Sequence, residues 1–222
     1  NKSEAHALAE SVVHLGTQMG VTTTALISNM NQPLGRMLGN AVEVNEAVEI
    51  LEGTGPETVR AISVALGCEA LMAAGMESEA DAAKNRLVSL LDSGQAREKF
   101  AHMVAAQGGD FEAKRKVAQP FVLSSKHAGY VSEIHAGKFG RAVVQLGGGR
   151  KKLGGAIDPS VGIELCVEIG ETVEPGQELV RIFAHYPPAD PWMDALLEAI
   201  QISPEKPPAM PLIIDHVTAN TA

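Results

Sequence analysis

The sequence has 222 residues and a formal net charge of −9 at pH 7, with 18 Lys and Arg residues against 27 Asp and Glu residues. Apolar residues make up 45% of it and aromatic residues only 4%, so the core must consist mainly of aliphatic side chains. An acidic chain without a long basic run does not favour binding to nucleic acid or to an anionic membrane surface. No apolar run approaches the roughly 20 residues of a membrane-spanning helix. We therefore expect a cytoplasmic protein with neither nucleic acid nor membrane as a partner.

Cysteine and histidine residues are too scattered to suggest a zinc site, a disulfide framework or a hydrolase triad. Cys68 and Cys166 lie far apart without a CxxC pair, which favours free thiols in a reducing compartment. No two histidines have the spacing of a helical metal site, and no GxSxG motif is present.

The first part of the chain is predicted to be helical, with one short strand. Apolar positions over residues 3–19 recur every three to four residues, which predicts an amphipathic helix with Ser3 as its N-cap and Gly20 at its end. The β-branched run Val21–Ile27 predicts a strand that is buried on both faces. Further helices are predicted over Asn40–Glu52, over Glu57–Ala74 and, with a break near Ser93 and Gly94, between Ser78 and Gln107.

A single strand cannot form a stable α/β layer with these helices. We therefore expect residues 1–117 to be the remnant of an α/β domain, with helices around the edge of a mostly parallel sheet whose other strands lie elsewhere. Because the first residue is Asn and a helix is predicted to start almost at once, we also expect the chain to be a truncated piece of a longer protein.

Short β-type runs separated by glycine replace the helical pattern after about residue 118. They predict a small β-rich domain of the α+β type over residues 118–222. A short helix is predicted over Trp192–Ile200, and the proline-rich residues Ser203–Pro211 are expected to lie across the surface. The predicted strands are Phe121–Leu123, Gly129–Ile134, Arg141–Leu146, Gly162–Val167 and Leu179–Ala184.

The loop and helix between Asn29 and Glu46 combine turn residues with two carboxylates. Glu43 and Glu46 lie three positions apart on the helix that follows Pro33 and Gly35. This spacing allows two interpretations. The segment is either a tight strand-to-helix connection with two solvated carboxylates, or a site where loop carbonyl groups and one carboxylate bind a hard cation such as K⁺ or Ca²⁺.

The same loop is the first of a series of motifs that extends over nearly the whole chain. The motifs are Ser28–Gly35 (SNMNQPLG), Gly39–Val44 (GNAVEV), Glu46-Ala47, Gly53–Glu57 (GTGPE), Gly147–Arg150 (GGGR), Ile157-Asp158, Val161-Gly162 and Gly170–Val173 (GETV). In order and spacing, the series closely resembles the thymidine and pyrimidine-nucleoside phosphorylases.

The resemblance implies a pentosyltransferase that cleaves a pyrimidine nucleoside with inorganic phosphate, for example thymidine to thymine and 2-deoxy-α-D-ribose 1-phosphate. It also implies a homodimer without an organic cofactor. In the family, the phosphate loop, its Ser/Thr donors and the Arg, Ser and Lys residues that bind the base all precede the position equivalent to residue 1. The chain is therefore expected to be a carboxy-terminal half that contains no catalytic or phosphate-binding residue and is inactive alone.

The resemblance also implies a cation site. The family's ligands match the main-chain carbonyl groups of Leu34 and Met37 and the carboxylate of Glu46. The remaining ligands come from the phosphate loop that precedes residue 1. We therefore expect a half-built site for K⁺ or Ca²⁺ with weak or no occupancy.

The glycine-rich run over residues 146–155 has two interpretations from its residues alone. Its main-chain N–H groups could turn toward an anion, with Arg150, Lys151 and Lys152 adding charge, or the run could be a mobile surface hairpin. The absence of a GKS/T sequence excludes a P-loop. By resemblance, the run is a closure loop that orders when the domains close, formed by Gly147, Gly148, Gly149 and Arg150.

The run Gly170–Gly176 (GETVEPG) also occurs in biotinyl and lipoyl carrier domains, whose fold is a barrel-sandwich hybrid. Val173 would then lie in the core of the small barrel. No exposed hairpin tip with a lysine beside Met or Asp follows, so we expect the fold without the carrier function. Nucleoside phosphorolysis is the favoured function, and the alternative is a non-catalytic structural or interaction domain that completes a separate amino-terminal half.

Overall fold

The computed structural model describes residues 1–219, and the described chain divides into two compact units. The first unit comprises Asn1–Asn29, Leu51–Phe100 and the described residues from Met210 onward, and the second comprises Met30–Ile50 and Ala101–Ala209. The two units therefore alternate along the sequence. Residues 30–50 cluster with the later segments, and the last strand clusters with the first segment. The division into a domain of residues 1–117 and a domain of residues 118–222 stays a prediction.

The described residues form seven helices and nine strands, joined by loops. The helices are α1 (Lys2–Gln18), α2 (Ala41–Leu51), α3 (Glu57–Ala73), α4 (Ala80–Asp92), α5 (Gln95–Ala106), α6 (Ala136–Leu146) and α7 (Asp190–Leu197). The strands are β1 (Ala25–Ser28), β2 (Met37–Gly39), β3 (Pro120–Ser124), β4 (Gly129–Ile134), β5 (Gly162–Leu165), β6 (Thr172–Val173), β7 (Glu178–Phe183), β8 (Ile200–Ser203) and β9 (Ile213–Val217).

Helix α1 starts two residues earlier than its sequence pattern suggests. The side-chain oxygen of Asn1 accepts a hydrogen bond from the main-chain N–H of Glu4 at 3.0 Å, and the Glu4 carboxylate accepts one from the amino group of Asn1. This reciprocal pair is a capping box. The prediction of Ser3 as the N-cap is therefore wrong, because Asn1 already satisfies the free N–H group of the first turn.

The first unit has two small hydrophobic clusters. In one, α1 packs on the antiparallel pair of β1 and β9, with Val13 and Val217 almost fully buried. In the other, α3 packs against α4 through Val64, Cys68 and Ala83. Each cluster contains few buried residues, so the apolar faces of these helices are only partly covered.

The second unit has one continuous core between two antiparallel sheets and α6. The larger sheet has the strand order β2-β5-β7-β3 and the smaller one the order β6-β4-β8. Ile163 and Ile182 lie opposite each other on neighbouring strands, and both are fully buried. Val131 and Val173 from the smaller sheet and Phe139 from α6 belong to the same core and are equally inaccessible to solvent.

Two predictions of secondary structure are wrong. β1 is half-buried rather than enclosed on both faces, and every strand pair in residues 1–219 is antiparallel, so no pair of parallel strands lies within the described residues. The predicted strand Arg141–Leu146 is the second half of α6. Its valines favour a strand, but Phe139, Ala142 and Val143 share one buried helical face.

The other helices predicted before residue 107 are confirmed, including the break between α4 and α5. The strands predicted near β3, β4, β5 and β7 are also present. The predicted helix Trp192–Ile200 ends earlier, at Leu197, because Ile200 begins β8. Among the described residues, no helix combines the length and the apolar character that crossing a bilayer requires.

Candidate functional site

Two carboxylates tie the loop before α2 to the helix itself. Glu43 lies in the first turn of α2, and Glu46 lies one turn further along. The carboxylate of Glu43 accepts a hydrogen bond from the main-chain N–H of Gly39 at 2.7 Å, and that of Glu46 accepts one from the N–H of Arg36 at 2.8 Å. Carboxylates that accept N–H bonds make strong, charge-assisted contacts. The two bonds therefore hold the returning loop against the helix.

Only one of these carboxylates is solvated. Glu43 is exposed, whereas Glu46 is 6% exposed. Burial raises the pKa of the Glu46 carboxyl, although main-chain hydrogen bonds from Arg36 and Met37 and the charge of Arg36 partly offset this effect. The Nε atom of Arg36 is itself buried and has no hydrogen-bond partner among residues 1–219. The interpretation of both carboxylates as solvated is therefore wrong for Glu46.

The three predicted cation ligands all lie in the second unit. Leu34 is in the exposed part of the loop, Met37 is the first residue of β2, and Glu46 is on α2. The carboxylate of Glu46 accepts a hydrogen bond from Met37, so these two residues are in contact. Oxygen donors of this kind suit a hard cation, but Ca²⁺ takes about six to eight of them. The donor type therefore fits a cation, while the number of donors requires further ligands.

The predicted closure loop begins as the cap of α6. Gly147 has a φ of 103°, which favours glycine, and its N–H donates to the carbonyl of Val144. The N–H of Gly148 donates to the carbonyl of Val143 at 3.0 Å, which completes a Schellman motif. These two N–H groups satisfy helix carbonyls, so they do not point toward an anion. Gly148 is buried and Arg150 is exposed.

Hydrogen bonds join this cap to the start of α2. The side-chain amide of Asn40 donates to the carbonyl of Gly148 at 2.7 Å. The N–H of Asp158 donates to the carbonyl of Gly147 at 2.9 Å, and the N–H of Ala41 donates to that of Pro159 at 3.0 Å. The structure thus brings the glycine-rich run and the α2 loop together. Sequence reasoning included Asn40 in a motif but gave it no role, since nothing local shows that its partner lies so far along the chain.

A cluster of Asp158, Ser160 and His185 supports the same corner and was not predicted as a unit. One Asp158 oxygen accepts hydrogen bonds from the hydroxyl and the N–H of Ser160, at 2.6 Å and 2.9 Å. The other lies 2.7 Å from Nε2 of His185. These hydrogen bonds, those from Ser160 first, hold the pKa of the Asp158 carboxyl below its ordinary value.

The cluster does not have the geometry of a hydrolase triad. Both Ser160 and Asp158 contact the same imidazole nitrogen, Nε2 of His185, at 3.2 Å and 2.7 Å. In a triad, the carboxylate and the nucleophile contact opposite nitrogens of the ring, so that the histidine can take a proton from the nucleophile while the carboxylate orients it. The cluster therefore braces the main chain around Asp158.

Neither cysteine is activated. Both thiols are free, and burial raises the pKa of Cys68 and raises that of Cys166 to about 11. A thiol with a raised pKa is protonated at neutral pH and is a poor nucleophile. Within residues 1–219, no three His, Cys, Asp or Glu side chains come together in a way that could hold a metal ion.

Comparison with known proteins finds a family similar to part of the second unit. Residues 130–203, from β4 to the end of β8, match the family described as the pyrimidine nucleoside phosphorylase C-terminal domain. The match includes α6 and the glycine-rich run. Over these residues, the second unit is therefore similar to that family of domains.

Relatives extend the similarity to almost the whole chain. It is 36% identical to the pyrimidine-nucleoside phosphorylase of Geobacillus stearothermophilus, over 97% of this chain and 51% of that protein. Identity to the enzyme of the same name from Staphylococcus aureus (strain bovine RF122 / ET3-1) is 35%, over 98% of this chain and 49% of the relative. Identity to the pyrimidine-nucleoside phosphorylase of Bacillus subtilis (strain 168) is 35%, over 92% of this chain and 48% of that relative. The predicted resemblance is confirmed, and the chain spans about half the length of these relatives.

Proposed function

We propose that this chain takes part in the phosphorolysis of pyrimidine nucleosides as the carboxy-terminal half of a catalytic unit. The reaction is that of a nucleoside such as thymidine with phosphate, giving thymine and 2-deoxy-α-D-ribose 1-phosphate. One observation carries the proposal. The chain aligns along 97% of its length with a pyrimidine-nucleoside phosphorylase, yet covers only 51% of that relative.

The chemistry explains why we propose that the chain alone is inactive. Cleaving the glycosidic bond places positive charge on the sugar and negative charge on the departing pyrimidine. The site therefore needs fixed donors at the base and a separate cradle for phosphate. In this chain, Asn40, Glu46 and Asp158 already bind the main chain around the candidate site. We propose that the groups that bind nucleoside and phosphate come from a separate amino-terminal polypeptide region.

The contribution proposed for this chain is closure of the site. Gly147 and Gly148 are anchored by the helix cap and by Asn40, while Arg150 is exposed and has no hydrogen-bonding or ionic partner within residues 1–219. A loop fixed at one end can move as a unit over a bound substrate. Such closure would exclude water and leave the chemistry to other residues.

A cation is the second proposed component. K⁺ or Ca²⁺ would bind the carbonyl groups of Leu34 and Met37 and the carboxylate of Glu46, with its remaining ligands supplied from outside this chain. The support is that Glu46 is a buried carboxyl whose pKa is raised by loss of hydration, a cost that a nearby cation would reduce. The ion would contribute positive charge that stiffens the loop before α2.

The experiment that tests the proposal is complementation. The purified chain, a polypeptide covering the amino-terminal half of the Geobacillus relative, and their mixture would each be assayed with phosphate and either thymidine or uridine. We expect release of free base only from the mixture. Arg150→Ala in the mixture should reduce the rate modestly, whereas Lys84→Ala, on α4, should not change it. Turnover by this chain alone would contradict the proposal that the groups binding nucleoside and phosphate lie outside it. A mixture in which the two polypeptides associate but remain inactive would contradict the catalytic role of this chain.

The second candidate is a non-catalytic interaction domain, and the surface of α1 favours it. Leu8, Val12, Leu15 and Met19 follow one helical stripe and are between 50% and 73% exposed, on the face opposite the buried Val13. An exposed apolar stripe of this kind marks a surface that another polypeptide covers. We propose that this partner is the amino-terminal half itself. The same mixture, analysed by light scattering, would show association whether or not it is active.

We further propose a barrel-sandwich hybrid for the β-rich part and a homodimer for the complete enzyme. Support for the first comes from the full burial of Val173 in the core that the two antiparallel sheets share. Carrier function is disfavoured, and the intact mass of the expressed chain tests it, because a modified lysine would add a fixed increment. A cytoplasmic location is proposed from the two free thiols.

A further inference from the structure

A small cleft between α6 and α7 is not used by the proposed function. It has a volume of about 160 Å³ and lies entirely within the second unit. Lys138, Arg141 and Gln145 line it from one face of α6, and Trp192 lines it from α7. We refer to it as the α6–α7 cleft, defined by these four residues.

The helical spacing of these residues explains why they converge. Positions 138, 141 and 145 are three and four residues apart, so they lie along one side of α6. The indole Nε1 of Trp192 donates a hydrogen bond to the side-chain oxygen of Gln145 at 2.6 Å. This bond fixes the indole against the wall of the cleft, and small alanine side chains leave the space in front of it open.

The two cations of the cleft are not neutralised. Neither the Lys138 nor the Arg141 side chain has a hydrogen-bonding or ionic partner in the part of the chain that the structure describes. By contrast, Arg60, Arg86 and Arg181 each contact a carboxylate. An unpaired pair of cations beside an aromatic ring has the character of an anion site.

The surroundings reinforce the positive potential. Residues 134–157 contain five Lys and Arg residues and no Asp or Glu, in a chain whose net charge is −9. The first turn of α6 has no acidic residue and no side-chain cap. Asp194 of α7 lines a different cleft, where it lies 3.8 Å from Lys126, and Glu133 lies against His135.

We propose that the α6–α7 cleft binds the phosphate group of a small phosphate monoester. Lys138 and Arg141 would hold the phosphate, and the indole of Trp192 would contact the organic part. A phosphate monoester has its second pKa near about 6 and is therefore mostly a dianion at neutral pH. Its two negative charges match the two cations of the cleft, whereas a ligand with a single carboxylate would neutralise only one of them. The planar guanidinium of arginine can also bind two phosphate oxygens at once.

The chain provides its own reporter for this proposal, because Trp192 is its only tryptophan. Indole fluorescence would be followed during titration with ribose 5-phosphate at constant ionic strength. Parallel titrations would use inorganic phosphate, unphosphorylated ribose and sodium chloride. We expect a saturable change with ribose 5-phosphate, a weaker response to inorganic phosphate and none with ribose or sodium chloride.

Charge-neutralising variants complete the test. Lys138→Gln with Arg141→Gln should weaken binding about tenfold or more, because the charge-assisted hydrogen bonds of both side chains to the phosphate would be lost. Lys126→Gln, in the neighbouring cleft, should bind as the unchanged chain does. Far-UV circular dichroism checks folding, and Lys138→Gln alone, with an expected several-fold loss, replaces the double variant if that does not fold.

The proposal would be overturned by a response that does not saturate, that sodium chloride reproduces or that survives in the folded double variant. Equal affinity for inorganic phosphate and ribose 5-phosphate would contradict the role of Trp192 and leave a site for free phosphate. No nucleoside is present in this titration. Its outcome is therefore separate from that of the complementation assay.

Discussion

The two units of the chain differ in how completely they bury their apolar residues. In the second unit, both sheets and α6 contribute to one continuous core that includes Phe139, Ile163 and Ile182, all fully buried. In the first unit, two separate clusters have three buried residues each, and only Val13 and Ala83 among them reach 0% exposure. Hydrophobic stabilisation scales with the apolar area removed from water. The second unit therefore buries enough apolar surface to fold by itself. The first unit buries less, so its stability depends more on covering the apolar surfaces that it leaves exposed.

The largest effect expected from this contrast comes from deleting core side chains. Phe139→Ala in the second unit should lower the free energy of unfolding by about 3–5 kcal/mol, because it removes a fully buried aromatic ring and leaves a cavity. Val13→Ala in the first unit should cost less, about 1.5–3 kcal/mol, from two lost methyl groups and a cluster that can collapse. Urea unfolding measures both. Equal costs would show that the first unit is as tightly packed as the second.

A smaller effect is expected from the tether between α2 and the glycine-rich run. Asn40→Ala removes a half-buried hydrogen bond to the carbonyl of Gly148, which should cost about 1 kcal/mol. It should also free the loop, so that trypsin cleaves faster after Arg150. Asn85→Ala, at an exposed position on α4, is the matched control and should change neither stability nor cleavage. Unchanged cleavage in the Asn40 variant would mean that the helix cap alone fixes the loop.

The stripe on α1 should affect association much more than stability. Leu8→Lys with Leu15→Lys should change the free energy of unfolding by less than about 0.5 kcal/mol, since both side chains are already exposed. The charges should nevertheless abolish association with the amino-terminal half, the partner proposed for this surface, in the mixture analysed by light scattering. The matched control is Leu153→Lys with Tyr186→Lys, at exposed apolar positions of the second unit. Equal loss of association from the control would assign the contact to the second unit.

The smallest effects are those of pH on two carboxyl groups of the second unit, and they have opposite signs. The pKa of Asp158 is lowered from its ordinary 3.8, so its contribution to stability is present above that pH and is lost as the pH falls through the lower folded value. The pKa of Glu46 is raised from 4.5, so its share of stability falls as the pH rises above that value.

The corresponding variants should remove these two slopes. Asp158→Asn should flatten the acid side of the stability profile, and Glu46→Gln should flatten the decline above pH 4.5. Because Asp158 is partly exposed, its share should also weaken with added salt. Urea unfolding between pH 3 and pH 7 measures both slopes. If both variants changed the pH dependence of the free energy of unfolding in the same direction, the contrast between a partly exposed and a buried carboxyl would be contradicted.

Local patterns predicted most of the helices but not the long-range pairings. The periodicity of α2 to α5 and the break near Ser93 were readable because each helix buries only one face. α6 was predicted in part as a strand, since Val143 and Val144 favour strands and glycines interrupt the helical pattern. β9 was not predicted at all, because its pairing with β1 depends on residues far away in the sequence.

The candidate site shows the same division. The motif around Glu46 was found from the sequence, and so was the glycine-rich run. Their connection through Asn40 and Gly148 was not, since it joins positions on distant segments. The burial of Glu46 could not be read either, because its spacing from Glu43 fits an exposed helix face equally well. The α6–α7 cleft had one visible signal, the absence of acidic residues over residues 134–157.

The pairing of β1 with β9 has a consequence for synthesis on the ribosome. β1 leaves the exit tunnel before every element of the second unit, but its partner emerges only after all of those elements have been translated. The second unit can therefore fold co-translationally, as domains generally do in the order in which they are made. Until β9 is made, the apolar residues of α1 and β1 lack the contacts that β9 provides. They are therefore the part of the nascent chain that a chaperone would be expected to shield.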